Sequence, residues 1–250
     1  MLSSPQFLVA LLAISLASCA QGLTGFGFSV VAVPLLLLVF EPQTVVVLCL
    51  ILSLTLTLTV LPTAPGRADL RAHAPLFAAS LVGAVAGALL LPHLSGPLLR
   101  PLLGFVAFAG GVAVVFGRQF APIKNEKLAL GITGLVSGLM NGLASLSGPP
   151  VAMLALRQRW EATRARKTML AYSLFVNLAA LVALSAAHLV TLPRLKMAAL
   201  LLPAVLVGRM MGVTGSKRLP ATAYRAVTIA LVLFCGIATM GQGVAASLHR

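Results

Sequence analysis

Charge is confined to a few positions along this 250-residue chain, and the gaps between them limit what it can fold into. Runs free of Asp, Glu, Lys and Arg span 1–40, 42–66, 72–99, 101–117, 128–156, 168–193 and 226–249. Another, 197–216, is interrupted only by Arg209. A helix needs about 20 apolar residues to cross a ~30 Å hydrocarbon core. Most runs reach that length, and 101–117 does so with a residue or two from each flank. Hydrophobic residues make up 60% of the chain and charged residues 9%, against about 25% charged in an average soluble domain. A soluble fold cannot hide that much apolar surface. The chain therefore reads as an all-α polytopic membrane protein of about 8 hydrophobic segments, with short loops and no soluble domain.

The net charge of +14 would suggest nucleic acid on a soluble protein. Here the basic residues sit between apolar runs, so they read as topological anchors that also meet anionic lipid, and no nucleic-acid partner is expected. Cys19, Cys49 and Cys235 show neither metal-ligand spacing nor a disulfide pattern, and no metal or cofactor is expected. Leu16-Ala17-Ser18-Cys19 looks like a lipoprotein cleavage box, but residues 1–18 carry no Lys or Arg, so the segment is read as retained.

The chain resembles a duplication. Shifted by 125 residues, Gly83 and Gly87 fall on Gly208 and Gly212, Arg71 on Lys196, Arg100 on Arg225 and Gly111 on Gly236. Earlier in each half the offset is 121, which pairs Gly27 with Gly148. Residues 1–118 and 128–250 thus read as two membrane repeats joined by a loop at 119–127. The first segments of the halves, 6–39 and 128–156, each break in the middle at small and polar residues. The breaks are Gln21-Gly22-Leu23-Thr24-Gly25-Phe26-Gly27-Phe28-Ser29 and Asn141-Gly142-Leu143-Ala144-Ser145-Leu146-Ser147-Gly148-Pro149-Pro150. Gly is a poor helix former, and Pro149-Pro150 cannot continue a helix that began upstream, though Pro is tolerated in the first turn of a new one. Each segment is expected to be two half-helices joined by irregular backbone.

Charge counts choose between two topologies. If every segment crosses once, Lys and Arg divide 8 to 9 between the sides. If the two broken segments are re-entrant, loops 62–74, 118–127, 156–167 and 216–225 share one side and carry 13 basic residues against 4. Such a bias marks the cytoplasmic side. It places both termini in the periplasm and gives each half an odd number of crossings. The halves are then inverted repeats, each with a broken or re-entrant first segment and three transmembrane helices, an architecture of secondary transporters.

Irregular backbone at membrane depth is tolerated where it lines a cavity or is buried in protein. The breaks are therefore the candidate binding site. A half-helix N-terminus offers free N–H groups and partial positive charge to an anion, and glycine lets the ligand reach the backbone. The candidate substrate-binding residues are Gly22, Thr24, Gly25, Gly27, Ser29, Asn141, Ser145, Ser147 and Gly148, with Asn177 from the segment beginning at 168. Asn177 fits an interhelical hydrogen bond equally well. Arg209 is the charge inside a segment; it either snorkels toward Lys217 or attracts anions to a vestibule. Gly83, at a packing position, is expected to tolerate Ala better than Gly27 or Gly148 tolerates Val.

Gln21 through Phe28, followed by Val33-Pro34-Leu35-Leu36, resembles the first motif of the TauE/SafE family of sulfite and organosulfonate exporters. Ser137-Gly138-Leu139 through Ser147-Gly148-Pro149-Pro150 resembles that family's second-half motif. The first motif here lacks a triple glycine, and the second carries two prolines. The resemblance implies a bacterial inner-membrane transporter that exports small sulfur-containing anions such as sulfite. A homo-oligomer is compatible with it. Two other classes stay open at this point. One is an anion channel. The other is an intramembrane serine hydrolase using Ser147 and His188, which lacks the expected G-x-S-G context; no enzyme activity is expected.

Overall fold

The computed structural model describes residues 4–24, 27–94, 98–99, 101–106 and 123–215, which are helical with no strand. The elements are α1 (Ser4–Thr24), α2 (Phe28–Leu36), α3 (Pro42–Val60), α4 (Ala74–Leu90), α5 (Glu126–Ala144), α6 (Gly148–Arg157), α7 (Ala162–Ala186) and α8 (Leu192–Gly215). A 3-10 turn, Leu91–His93, extends α4, and 98–99 and 101–106 are also helical. Among the described residues, six helices are long and apolar enough to cross a membrane: α1, α3, α4, α5, α7 and α8. The protein is a multi-pass membrane protein. The apolar run 226–249 and most of 101–117 lie outside the described residues.

Local chemistry sets the helix ends. Pro42 opens α3, and Asn125 Oδ1 caps α5 by accepting from Leu128 N at 3.1 Å. Gly27 caps α2 at φ +98°, a region where a Cβ collides with the backbone. Ser145 ends α5 at φ +58°, its N–H returning to Asn141 O at 2.7 Å. Pro149 and Pro150 then open α6. Both expected breaks are present, but their limbs are unequal. α1 has 21 residues and α5 has 19, each long enough to span, while α2 has 9 and α6 has 10. The breaking residues come late in each run, so a full helix precedes a short one.

Lipid tails give helices no hydrophobic reason to associate, so small residues that allow close backbone approach decide the packing. α4 and α5 are the most closely packed pair. A Cβ on Gly83 would overlap Leu135 O, and one on Gly138 would overlap Ser80 O. The same holds for Gly134 against Leu76 O and for Gly142 against Ala84 O. α1 and α8 meet likewise, Gly208 on Ser15 O and Gly212 on Cys19. Gly83 therefore cannot take Ala without displacing its neighbour. The obstacle is helix backbone, which cannot rotate away as a side chain does.

These contacts also give directions. Leu76, Ser80 and Ala84 face Gly134, Gly138 and Gly142 in the same order, so α4 and α5 run together. α1 runs with α8 (Ser15 at Gly208, Cys19 at Gly212), and α3 also runs with α8 (Thr44 at Arg194, Thr59 at Arg209). α3 and α7 are opposed, since Asn177 reaches Ser53 while Lys167 reaches Leu61 and Ala64. α1 and α3 point the same way, so α2 runs back between them. α6 likewise returns to the starting side of α5, where Gln158 Nε2 donates to Ile123 O at 3.1 Å.

The loop segments on that side pack on one another. Arg164 pairs with Asp69, Gly66 abuts Thr163, and the His73 and Trp160 rings meet edge to face at 4.1 Å. The Asp69 carboxyl is held below its usual range by the Ala72 N–H, assisted by Arg164.

Candidate functional site

The two breaks meet inside the bundle. Ser29 Oγ, in the first turn of α2, lies 3.0 Å from Ser145 Oγ, at the end of α5. Around this contact is a cavity of about 20 Å³, room for roughly one water. Gly27 and Ser29 line it from the first break, and Ser145, Ser147 and Gly148 from the second. Gln21, Ser53, Tyr172 and Ser173 complete its polar wall, and among the described residues none that is charged lines it.

Hydrogen bonds fix this wall. Asn177 Nδ2 donates to Ser53 Oγ (3.2 Å) and Ser173 Oγ (3.3 Å). Ser53 Oγ in turn donates to Gln21 Oε1 at 3.5 Å, and Gln21 Nε2 to Thr57 Oγ1 at 2.9 Å. On the other flank, Tyr172 OH donates to Ser137 Oγ (2.8 Å), which donates to Ser147 O (2.5 Å). The α5–α6 break is thus held in place from α7 through one serine.

Two half-helices begin at the cavity, and their N-termini are not equivalent. α2 starts with Phe28, Ser29 and Val30, which all carry an N–H with no carbonyl one turn earlier in the helix. α6 starts Gly148-Pro149-Pro150, so two of its first three residues carry no N–H. Backbone donors therefore come chiefly from α2, while the second break supplies hydroxyls.

Asn141 is fully buried, and neither its Oδ1 nor its Nδ2 has a partner. Its register places it on one face of α5 between Ser137 and Ser145, four residues from each. Leaving a buried amide unpaired costs about 1–3 kcal/mol; Asn141 is not among the residues that line the cavity and stands behind Ser145, one helical turn back along α5.

The other expected site residues stand apart. Asn177 is one bond behind the wall, on Ser53 and Ser173. Gly22 faces α8, its carbonyl accepting from Arg166 Nη2 at 2.7 Å. Thr24 is the last residue of α1, and Gly25 lies outside the described residues. Arg209 Nη2 donates to Thr59 O at 3.0 Å, away from the cavity wall; Lys217 lies outside the described residues.

Gln21, Ser53, Tyr172 and Ser173 were not among the residues expected from sequence. Their signal was available, because a polar side chain in an apolar run needs a partner. Ser53 and Thr57 also share a face of α3.

The sequence profile of the sulfite exporter TauE/SafE family matches residues 10–239. The chain belongs to the TauE/SafE family. No curated protein and no solved structure matches it. In this TauE/SafE protein, the matched span takes in both breaks and every described residue of the cavity wall. His188 sits in the turn after α7 at φ +57° and is not part of the wall that Ser147 lines, which removes the geometric basis for a Ser147–His188 pair. Among the described residues no group of His, Cys, Asp and Glu is placed to hold a metal ion.

Proposed function

We propose that this TauE/SafE protein is a secondary transporter that exports small anions, such as sulfite or organosulfonates, by alternating access between two inverted repeats. The observation that carries the reading is the meeting of the two broken segments, Ser29 on Ser145, around a cavity whose described lining offers neutral donors and no charge. The α2 N-terminus supplies N–H groups and partial positive charge. Ser29, Ser145, Ser147 and the unpaired amide of Asn141 supply further donors. A cavity with room for one water is smaller than a four-atom oxyanion, so Ser29 and Ser145 must part to admit one. The anion's oxygens then take over both hydroxyls.

Helix packing supports the inverted repeats. Pairing α1 with α5, α2 with α6, α3 with α7 and α4 with α8 turns every substantial helix contact into another one that is present. The α1–α8 contact maps onto α4–α5, α4–α7 onto α3–α8, and α3–α7 onto itself. Paired helices α1 and α5, α3 and α7, and α4 and α8 run in opposite directions. The mutual packing of 61–73, 123 and 157–167 favours one shared side for these basic loops. We place that side in the cytoplasm of a bacterial inner membrane, with both termini periplasmic.

The test is flux of sulfite, sulfoacetate, sulfate and small carboxylates, with a neutral analogue, into proteoliposomes. Saturable anion flux that far exceeds flux of the neutral analogue is expected. Equal flux of both, or conductance without saturation, overturns the reading.

A further inference from the structure

Three cations converge on the C-terminal ends of α1 and α3. Arg166 Nη2 donates to Gly22 O, Lys167 Nζ to Leu61 O (2.6 Å) and Ala64 O (2.8 Å), and Arg209 Nη2 to Thr59 O. Helix C-termini have unpaired carbonyls and partial negative charge, so a cation there acts as a cap. Capping accounts for one N–H of each arginine. A guanidinium carries five and keeps its proton. Among the described residues, neither Nε of Arg166 nor Nε of Arg209, both buried, has an acceptor. No carboxylate balances them either: among the described residues, the ion pair is the one between Arg164 and Asp69.

Both arginines are placed by the end of α1. Gly22 gives its carbonyl to the Arg166 head, and a Cβ added to Gly22 would lie 3.6 Å from the backbone carbonyl oxygen of Arg209, whose side chain extends to Thr59 O of α3. The preceding residue, Gln21, belongs to the cavity wall and bonds Thr57, two residues before the Thr59 carbonyl that Arg209 holds. Arg166 thus caps the residue that follows Gln21 of the cavity wall, and Arg209 caps α3 two residues past Thr57, the partner of Gln21, each with a spare buried donor.

We infer that Arg166 and Arg209 form a second anion site, a charged station that holds a small oxyanion of the sulfite or sulfonate class beside the neutral cavity. The inference rests on the anion-transport reading. The anion's oxygens accept from the two unpaired Nε–H groups, while Lys167 adds charge nearby. The two sites then divide the work. The station captures by charge, and the neutral cavity binds weakly enough to release. Gly22 belongs to the station, where a small residue allows α8 and the Arg166 head to approach α1.

The experiment measures sulfite flux against concentration in proteoliposomes, at low ionic strength and in high potassium gluconate. Arg166→Gln and Arg209→Gln are each expected to raise the sulfite KM about tenfold with little change in maximal rate. The increase should persist at high ionic strength, because buried donors are poorly screened. Arg166→Lys and Arg209→Lys retain charge, should fall between, and carry the test if the Gln variants fail to fold. Sulfite should also raise the Tm of the detergent-purified protein, and the double variant Arg166→Gln/Arg209→Gln should lose most of that rise. An unchanged KM, or an increase that vanishes at high ionic strength, overturns the station while wild-type sulfite flux leaves the transport reading standing. A wild type that moves no small anion overturns the transport reading instead. In that case, equal sulfite-dependent Tm shifts in wild type and double variant overturn the station independently.

Discussion

Ser145 shows how one residue can serve both fold and site. It holds a left-handed backbone conformation that costs a non-glycine residue about 1–2 kcal/mol, and its hydroxyl meets Ser29 across the cavity. Ser145→Gly should therefore preserve or raise the Tm while lowering anion flux; Ser145→Ala should lower flux without that gain. Thermal melting and flux on the same preparation separate the two effects. Flux undiminished in both variants would remove Ser145 from the site. Charge at the neighbouring position is a sharper probe. Ser147→Ala or Asn141→Ala removes one hydrogen bond to an anion, worth about 1.5–3 kcal/mol, or a ten- to hundredfold loss of apparent affinity. Ser147→Asp puts a negative charge where the anion sits in a low-dielectric cavity and should abolish flux at equal expression. Ser147, which lines the cavity, was legible in the sequence because it lies inside a helix-breaking motif. Gln21 stood inside the motif too, and Ser53 inside an apolar run. Their place in the wall follows from the crossing of α1, α3 and α7, which no local pattern encodes.

At the scale of elements, the glycines of α4, α5 and α8 are spacers for backbone contact. Gly83→Ala and Gly208→Ala should each destabilise the protein by about 1–3 kcal/mol or more, as overpacking does where the obstacle is backbone. Lower Tm and lower yield of folded protein in detergent would be the observed result. Gly131→Ala is the control, since none of the described residues lies within 4 Å of a Cβ there. Equal behaviour of Gly83→Ala and Gly131→Ala would contradict the packing described. The hairpin breaks were readable because Gly27 and Pro149-Pro150 act through local dihedrals and missing donors. The lengths of the limbs were not, because α1 and α5 extend as far as their packing on α8 and α4 supports them. The Asp69–Arg164 contact between loops adds a pH-dependent element. Its carboxyl titrates below the usual range, so the contact is complete above that range and is lost as pH falls through the lowered value. Trp160 fluorescence, reporting on the packed loops beside His73, should change in that acidic window and, in Asp69→Asn, no longer follow it.

Across the whole molecule, sidedness is the property open to direct measurement. In an otherwise cysteine-free protein, a cysteine at 249 should react with an impermeant thiol reagent added from the periplasmic side, and one at 161 should not. Labelling at 161 alone would overturn the proposed orientation. What the sequence by itself determined was the class of the protein and the position of its breaks. The spacing of charges leaves room only for membrane helices, and the runs Gly25-Phe26-Gly27 and Gly148-Pro149-Pro150 interrupt a helix through backbone dihedrals and missing donors, because both effects are local or compositional. Only the tertiary structure decided which residues share the cavity. Ser29 and Ser145 are 116 positions apart in the chain and 3.0 Å apart in the fold. What joins them is glycine-lined packing of α4 on α5 and α1 on α8, where steric fit between distant helices, absent from any single segment, sets how closely and at what level the two breaks meet.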